Sequence, residues 1–258
     1  MPANDDLSLL INAARASGEI AQRFWKRSPK TWEKTGGHGP VTEADLAVDA
    51  MLRETLLSQR PDYGWLSEET EDTQERLGAQ KVFIVDPIDG TRAFIEGGRT
   101  WAHSLAIADN GRVTAAVVFL PVKDRMFEAR AGGGAFLNGE KLAASARNAV
   151  EGATVLAARS NFETHHWRDG APPMQRKFRP SLAYRLSLVG QGRYDAMLTL
   201  RDTWEWDIAA GTLIVQEAGG LVTDKHSNAL AFNNPEPKLP GVLAAGKTLH
   251  HALAGRLT

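Results

Sequence analysis

The stretch VFIVDPIDGT, residues 82–91, decides how this chain is read. Val82 to Val85 form an uninterrupted apolar run, the mark of a strand buried on both faces. Two carboxylates, Asp86 and Asp89, follow around Pro87. A strand that ends at Asp86, turns at Pro87 and presents Asp89 one step later puts both acids at the carboxyl edge of a sheet, where they repel unless a cation neutralises them. Gly90 and Thr91 then offer backbone N–H groups and a hydroxyl at a helix start, a setting that favours an anion. Carboxylates beside an anion cradle suit a hard divalent cation bridging to phosphate. An isolated tetrad of this kind is more commonly an Asp-Pro turn with an Asp cap, so the decision rests on carboxylates elsewhere.

Several are present. Glu68 and Glu69 follow the apolar Gly64-Trp65-Leu66 segment, again at an apparent strand end. Thr42 and Asp45 stand at the entrance to a helix, where a capping pair is the plain explanation. Asp207 follows Trp204 and Trp206 and opens the nearly uncharged run IAAGTLIV, where an acid also satisfies a helix N-terminus.

Around these acids the composition is that of a globular protein: 258 residues, 43% hydrophobic and 24% charged, enough for one large domain or two tightly joined lobes. Thirty basic against 31 acidic residues leave a net charge of -1, with no overall pull toward nucleic acid or an anionic membrane. The absence of cysteine excludes disulfides, zinc-thiolate sites and thiol nucleophiles. No run of about 18 apolar residues and no export-type N-terminus occurs, so a soluble, cytoplasmic protein is expected.

The periodicity predicts a helix from Asp5 to about Trp25, a mobile loop over TGGHGP (35–40) and a second helix from Glu43. Strands are expected at 82–85, 103–108, 113–120, 125–129 and 153–158, with a turn at Asp109-Asn110-Gly111 that implies antiparallel pairing. Further on, SLAYRLSLVGQG (181–192) and EWDIAAGTLIVQEAGG (205–220) read as helices around the strand YDAMLTL (194–200), the second stopping at Gly219-Gly220. The pattern is α/β or α+β without a repeat.

The segments GPVTEAD (39–45), SEE (67–69), DPIDGT (86–91) and WDIAAG with EAGG (206–220) resemble, in order and over nearly the whole chain, the inositol monophosphatase superfamily of magnesium-dependent, lithium-sensitive phosphomonoesterases. The resemblance implies a layered αβαβα sandwich of the inositol monophosphatase and fructose-1,6-bisphosphatase type. It implies one catalytic domain over 1–258, with lobes of about 1–145 and 146–258, and two to three Mg2+ per site. Glu68, Asp86 and the Ile88 carbonyl would hold a first ion; Asp86, Asp89 and Asp207 would hold a second. A third, weaker ion would sit near Glu68, with Asp45 reached through water. Gly90 and Thr91 would hold the phosphate, with Asp89 and Asp207 also facing substrate, and Thr91 with Asp45 would orient or deprotonate the attacking water. Glu68 is thus counted with Asp45 and Thr91 in catalysis, and Glu69 stands behind it. Lys34 matches a position on a flap that approaches the phosphate, although a solvated surface lysine is an equal reading.

For the substrate, Arg92-Ala93-Phe94-Ile95, the stretch 181–195 and Asn233-Asn234-Pro235-Glu236 are similar to bacterial 3'(2'),5'-bisphosphate nucleotidases of the CysQ type, which act on adenosine 3',5'-bisphosphate. In that reading Arg159 and Arg185 are candidates for a second phosphate, against surface or salt-bridged roles. Ala183-Tyr184 replaces the lysine of the nucleotidase motif. Leu200 stands where animal inositol monophosphatases have an inositol-contacting glutamate. Trp101 points to histidinol-phosphate phosphatases of the same superfamily, so inositol 1-phosphate and histidinol phosphate stay open. Some members have binding or regulatory roles instead. The expected partner is a small phosphorylated metabolite, with no nucleic acid and no membrane, and a homodimer is left open. Trp204, Glu205 and Trp206 are read mainly as packing around Asp207, with Trp204 or Glu205 open as lining of a substrate pocket, and the pairs His165-His166 and His250-His251 as solvated.

Overall fold

In the computed structural model, which describes residues 5–34 and 39–258, the apolar positions near the N-terminus become one face of helix α1 (Asp6–Phe24), burying Leu9, Leu10, Ala13, Ala14 and Ala21. Strands β1 (Thr31–Glu33) and β2 (Pro40–Thr42) pair antiparallel. Of the loop expected over 35–40, residues 35–38 lie outside the described residues, and Pro40 belongs to a strand, opposite Glu33. Pro40 stands at the first residue of its strand, where a missing N–H is tolerated. Helix α2 (Glu43–Gln59) starts on a capping box: Thr42 Oγ1 accepts from the Ala44 and Asp45 N–H groups, and Asp45 accepts from the Thr42 N–H.

A seven-stranded sheet follows in chain order: β3 (Gly64–Ser67), β4 (Lys81–Asp89), β5 (Ala102–Asp109), β6 (Arg112–Leu120), β7 (Arg125–Arg130), β8 (Gly134–Leu137) and β9 (Glu140–Lys141). In this sheet β3 and β4 run parallel and the other neighbouring pairs antiparallel, as the Asp109-Asn110-Gly111 turn suggested for the middle strands. The short helix α3 (Thr91–Ile95) leaves the end of β4. The second half supplies β10 (Thr154–Leu156), β11 (Gln175–Lys177), α4 (Leu182–Gly190), β12 (Ala196–Thr199), β13 (Thr203–Trp204), α5 (Glu205–Glu217), β14 (Gly220–Thr223), β15 (Lys238–Leu239), β16 (Val242–Gly246) and α6 (Lys247–Ala254). Five of these strands form a mixed sheet in the order β11-β10-β12-β16-β14, while β13 and β15 pair separately. The strand expected at 153–158 is shorter, three residues, because the chain turns into a 3-10 segment at Arg159–Phe162.

The layers are α1 with α2, the large sheet, α4 with α5, the small sheet, and α6. Alternate residues of β4 separate the first two interfaces: Phe83 and Val85 pack toward Leu10, Val48 and Leu52, whereas Val82 and Ile84 pack toward Leu186, Ile208 and Ile214. Val155, Leu198 and Leu243 meet Leu249 and Leu253 of α6 across the last interface. Helices α4 and α5 are buried on nearly every side, which is why their sequences are so poor in charge. Their close approach requires Gly211, where a Cβ would lie 2.5 Å from Leu186 Cβ. This is the αβαβα arrangement expected from the motifs.

Candidate active site

The two acids of DPID reach one site through a bulge. Residues three apart in a regular strand face opposite sides of the sheet. Asp86 pairs with Ser104 of β5 and Asp89 pairs with Ala102, so Pro87 and Ile88 together oppose the single residue His103. The extra residue restores parity: Ile88 packs with the α1–α2 layer, while Asp86 and Asp89 both face α4 and α5. The strand therefore does not end at Asp86, as the sequence suggests, but runs on to Asp89. Asp207 arrives from the first turn of α5, and among the described residues oxygens of Asp86, Asp89 and Asp207 lie within 4.8 Å of one another.

These carboxylates are not equally supported. Asp89 is held at the N-terminus of α4, accepting from Ser181 Oγ at 2.6 Å, Ala183 N–H at 2.7 Å and Leu182 N–H at 3.3 Å. Its pKa still rises to about 6 because burial outweighs those bonds. Asp86 and Asp207 are pushed well above the ordinary carboxylate range, first by burial and then by each other's neighbours, Glu68 and Asp89. Asp86 Oδ1 is buried without a hydrogen-bond partner among the described residues. A buried, unsatisfied acid among like charges is a donor that suits a cation.

Glu68 follows β3 at the edge of this cluster, and Lys34 Nζ lies 2.7 Å from both Glu68 Oε1 and Glu69 Oε1. Lys34 is thus part of the site rather than a solvated lysine. Glu69, its side chain nearly buried, has a pKa raised to about 8 by burial and by Glu68. Asp45 is fully buried and serves two partners: its Oδ2 closes the α2 capping box, and its Oδ1 stands 3.3 Å from Thr91 Oγ1. Thr91 Oγ1 also lies 3.1 Å from the Ile88 carbonyl oxygen. Burial raises Asp45 to about 6. Gly90, with φ of +100°, makes the left-handed turn from β4 into α3, close under Thr100 and Trp101.

Two adjoining cavities open over the cluster. One of about 600 Å³ is bordered by Glu68, Gly90, Thr91, Trp204 and Asp207, and one of about 540 Å³ by Asp89, Ser160, Leu182, Arg185 and Leu200. Arg92, Phe178, Pro180 and Arg201 border both. Arg185 is buried, with Nε donating to the Arg179 carbonyl, Nη2 to the Pro180 carbonyl at 3.4 Å, and its guanidinium 4.3 Å from the Phe178 ring. Arg159 is exposed while its neighbours Ala158 and Ser160 border the cavity.

Set against known proteins, residues 4–257 match the inositol monophosphatase family. The chain belongs to the inositol monophosphatase family. It is 35% identical over 229 residues to an inositol-1-monophosphatase of Rhizobium meliloti, covering 84% of this chain and 85% of the relative. It is also 35% identical over 234 residues to the Nus factor SuhB of Pseudomonas aeruginosa, covering 84% of each. An IMPase structure from Thermotoga maritima superposes with a TM-score of 0.81 at 30% identity, over 96% of this chain and 95% of that one.

As a family member the chain is a phosphoric monoester hydrolase of a metal-dependent type. Its residues fit such a cation: the donors are all oxygen, they are crowded, Asp86 and Asp89 are buried and Asp207 half-buried, and one oxygen of Asp86 is orphaned. Sequence reasoning did not find Ser181 or the helix end that seats Asp89. Ser181 was visible as a helix cap, but its partner lies 92 residues away. Asp49 was also missed; it accepts from Ser67 and Thr70 and pins the segment that carries Glu68. Glu205 proves to be an anchor, accepting from Asn233 and Asn234 N–H groups, so the Asn233–Glu236 segment braces α5. His250 corrects the solvated reading: it is 2% exposed, with Nε2 3.0 Å from Thr223 Oγ1.

Proposed function

We propose that this family phosphatase uses Mg2+ to remove a phosphate from a small metabolite carrying a second anionic group, of which a 3'(2'),5'-bisphosphate nucleotide is the best match. The observation that carries this reading is the pairing of the acidic cluster with Arg92 and Arg201 across both cavities. Neither arginine pairs with a carboxylate among the described residues, and the one bond recorded for Arg201 goes to the Asp202 carbonyl at 3.3 Å. Free guanidinium groups beside a phosphate site favour a second phosphate. Phe178 is 47% exposed, with Arg185 against its ring, and offers a surface on which a base can stack. Leu200 gives no acceptor for the hydroxyls of an inositol ring, which counts against the alternative suggested by the relative's name.

In the proposed mechanism Asp86, Asp89, Asp207, Glu68 and the Ile88 carbonyl hold the cations. A divalent cation held there would supply charge neutralisation for the phosphate and lower the pKa of the attacking water. Thr91 Oγ1, held between Asp45 Oδ1 and the Ile88 oxygen, orients the attacking water and passes its proton to Asp45. Gly90 and Thr91 N–H groups are placed to hold the phosphate, and Lys34, paired with Glu68 and Glu69, adds positive charge beside Glu68. A purely regulatory role, as the name Nus factor indicates for one relative, does not require this complete acidic set. The test is phosphate release from adenosine 3',5'-bisphosphate, inositol 1-phosphate, histidinol phosphate and fructose 1,6-bisphosphate, each with and without Mg2+. A preference for the nucleotide supports the reading. A preference for inositol 1-phosphate or histidinol phosphate overturns the substrate assignment, and release from none overturns the catalytic one.

A further inference from the structure

We propose that His103 and Ser104, consecutive residues of β5, are positioning residues that fix the distance between the two halves of the carboxylate cluster. The inference rests on the cation-binding role proposed above. One half, Asp86 and Asp89, is carried by β4; the other, Asp207, is carried by α5 from the far end of the chain. No hydrogen bond recorded among the described residues joins the Asp86 or Asp89 side chain to Asp207. Besides α4, which seats Asp89 and packs on α5, β5 hydrogen-bonds to the backbone of both halves.

Successive strand residues point to opposite faces, and these two use that alternation to grip two different elements. His103 stands opposite the bulge and makes a short hydrogen bond from Nδ1 to the Pro87 carbonyl oxygen. That carbonyl lies inside the irregular Pro87–Ile88 pair, where the ladder is broken and a backbone acceptor needs another donor. His103 is fully buried and burial lowers its pKa to about 4, so the ring is neutral and its single N–H is the one aimed at Pro87. The bond fixes the twist of the peptide between Asp86 and Ile88, and with it the direction of the Ile88 carbonyl. Ser104 pairs with Asp86 in the ladder and faces the helical layer, where its Oγ donates to the Trp206 carbonyl at 2.9 Å. Trp206 immediately precedes Asp207. A carbonyl in the first turn of a helix ordinarily accepts only from within that helix, so this added bond is a specific tether of the α5 start to β5.

The residue that pairs with Asp86 thus also holds the backbone beside Asp207, and its neighbour holds the bulge between Asp86 and Asp89. Groups that orient metal ligands without touching the metal typically change affinity by about ten- to a hundredfold when removed. We expect Ser104→Ala, and the bulkier-atom variant Ser104→Cys, to weaken Mg2+ binding by a factor in that range. His103→Leu should do the same, whereas His103→Asn, whose amide nitrogen can stand near the position of Nδ1, should recover most of the affinity.

The measurement is calorimetric titration of Mg2+ into metal-free wild-type and variant protein, with the melting temperature of each metal-free sample recorded beside it. Weaker binding in Ser104→Ala, Ser104→Cys and His103→Leu, with recovery in His103→Asn, is the expected result. Wild-type affinity in Ser104→Ala, Ser104→Cys and His103→Leu, even with a lowered melting temperature, would show a merely structural role and overturn the inference. Ser104→Ala and Ser104→Cys stand in for each other if one does not fold, and His103→Phe, which also lacks the donor, stands in for His103→Leu. If the wild-type protein itself binds no divalent cation, the proposed function fails; if it binds and the variants bind equally, only this inference fails.

Discussion

Asp89 is buried and Asp207 half-buried, and the repulsion between them fixes what their replacement does. An Asp207→Asn substitution removes one like charge from a buried cluster, so the metal-free protein should melt no lower than wild type, while phosphate release falls by at least about a hundredfold. Thermal melts in chelator and steady-state rates in Mg2+ check both halves; near-normal turnover would remove Asp207 from the site. Arg201 makes a separate prediction, because its charge is offered to the cavity rather than to a partner. Arg201→Gln should lower kcat/KM for adenosine 3',5'-bisphosphate about tenfold or more and leave that for a substrate with one phosphate within about threefold. Equal losses on both would assign Arg201 to general electrostatics. The acids of this site were legible as residue types at motif spacing. Of the arginines, sequence pointed to Arg92, Arg159 and Arg185; Arg92 and Arg185 border the cavities, Arg159 does not, and Arg201 carried no motif signal.

At the scale of elements, the junction between β4 and α4 shows how one carboxylate serves structure and chemistry together. Ser181 Oγ accepts from the Tyr184 N–H as the cap of α4 and donates to Asp89. Ser181→Ala should therefore destabilise the fold by about 1 kcal/mol or somewhat more, read from urea unfolding. A loss of only a few tenths would mean that Asp89 caps the helix by itself. The helices and the central strands were readable because their apolar periods are long and regular, as in α1 and β6. The bulge was not readable. Pro87 signals that the ladder breaks, but whether the strand ends there or continues depends on β5, which supplies a single residue opposite two. Short strands such as β9 and β13 were also hidden, since two residues carry no period.

Across the whole molecule, the order of layers follows from a few long apolar elements, and the site forms where four of them, β3, β4, α2 and α5, bring their ends together. The motifs fixed that meeting point in advance; the details around it depend on contacts between residues far apart in sequence, which no local pattern encodes. The buried histidines give the molecule an acid limit of its own. His250 sits with its pKa lowered to about 4 by burial, against an ordinary 6.5. The folded state therefore takes up this proton less readily than the unfolded chain, and its contribution is present above about pH 6.5 and lost as pH falls toward 4. Asp45, Asp89 and Glu69, with pKa values raised by burial, act in the opposite sense over this range, so the readout is a difference: between pH 7 and 4 the wild type should lose unfolding free energy relative to His250→Gln, and an unchanged difference would place the acid sensitivity elsewhere. The central claim is that the acidic cluster works only when it holds cations. Its most direct test is inorganic phosphate release from adenosine 3',5'-bisphosphate by chelator-stripped protein as Mg2+ is added back. The account predicts no release at zero Mg2+ and a saturable rise on addition. Release that is indifferent to chelation, or absent at every Mg2+ concentration, would contradict it.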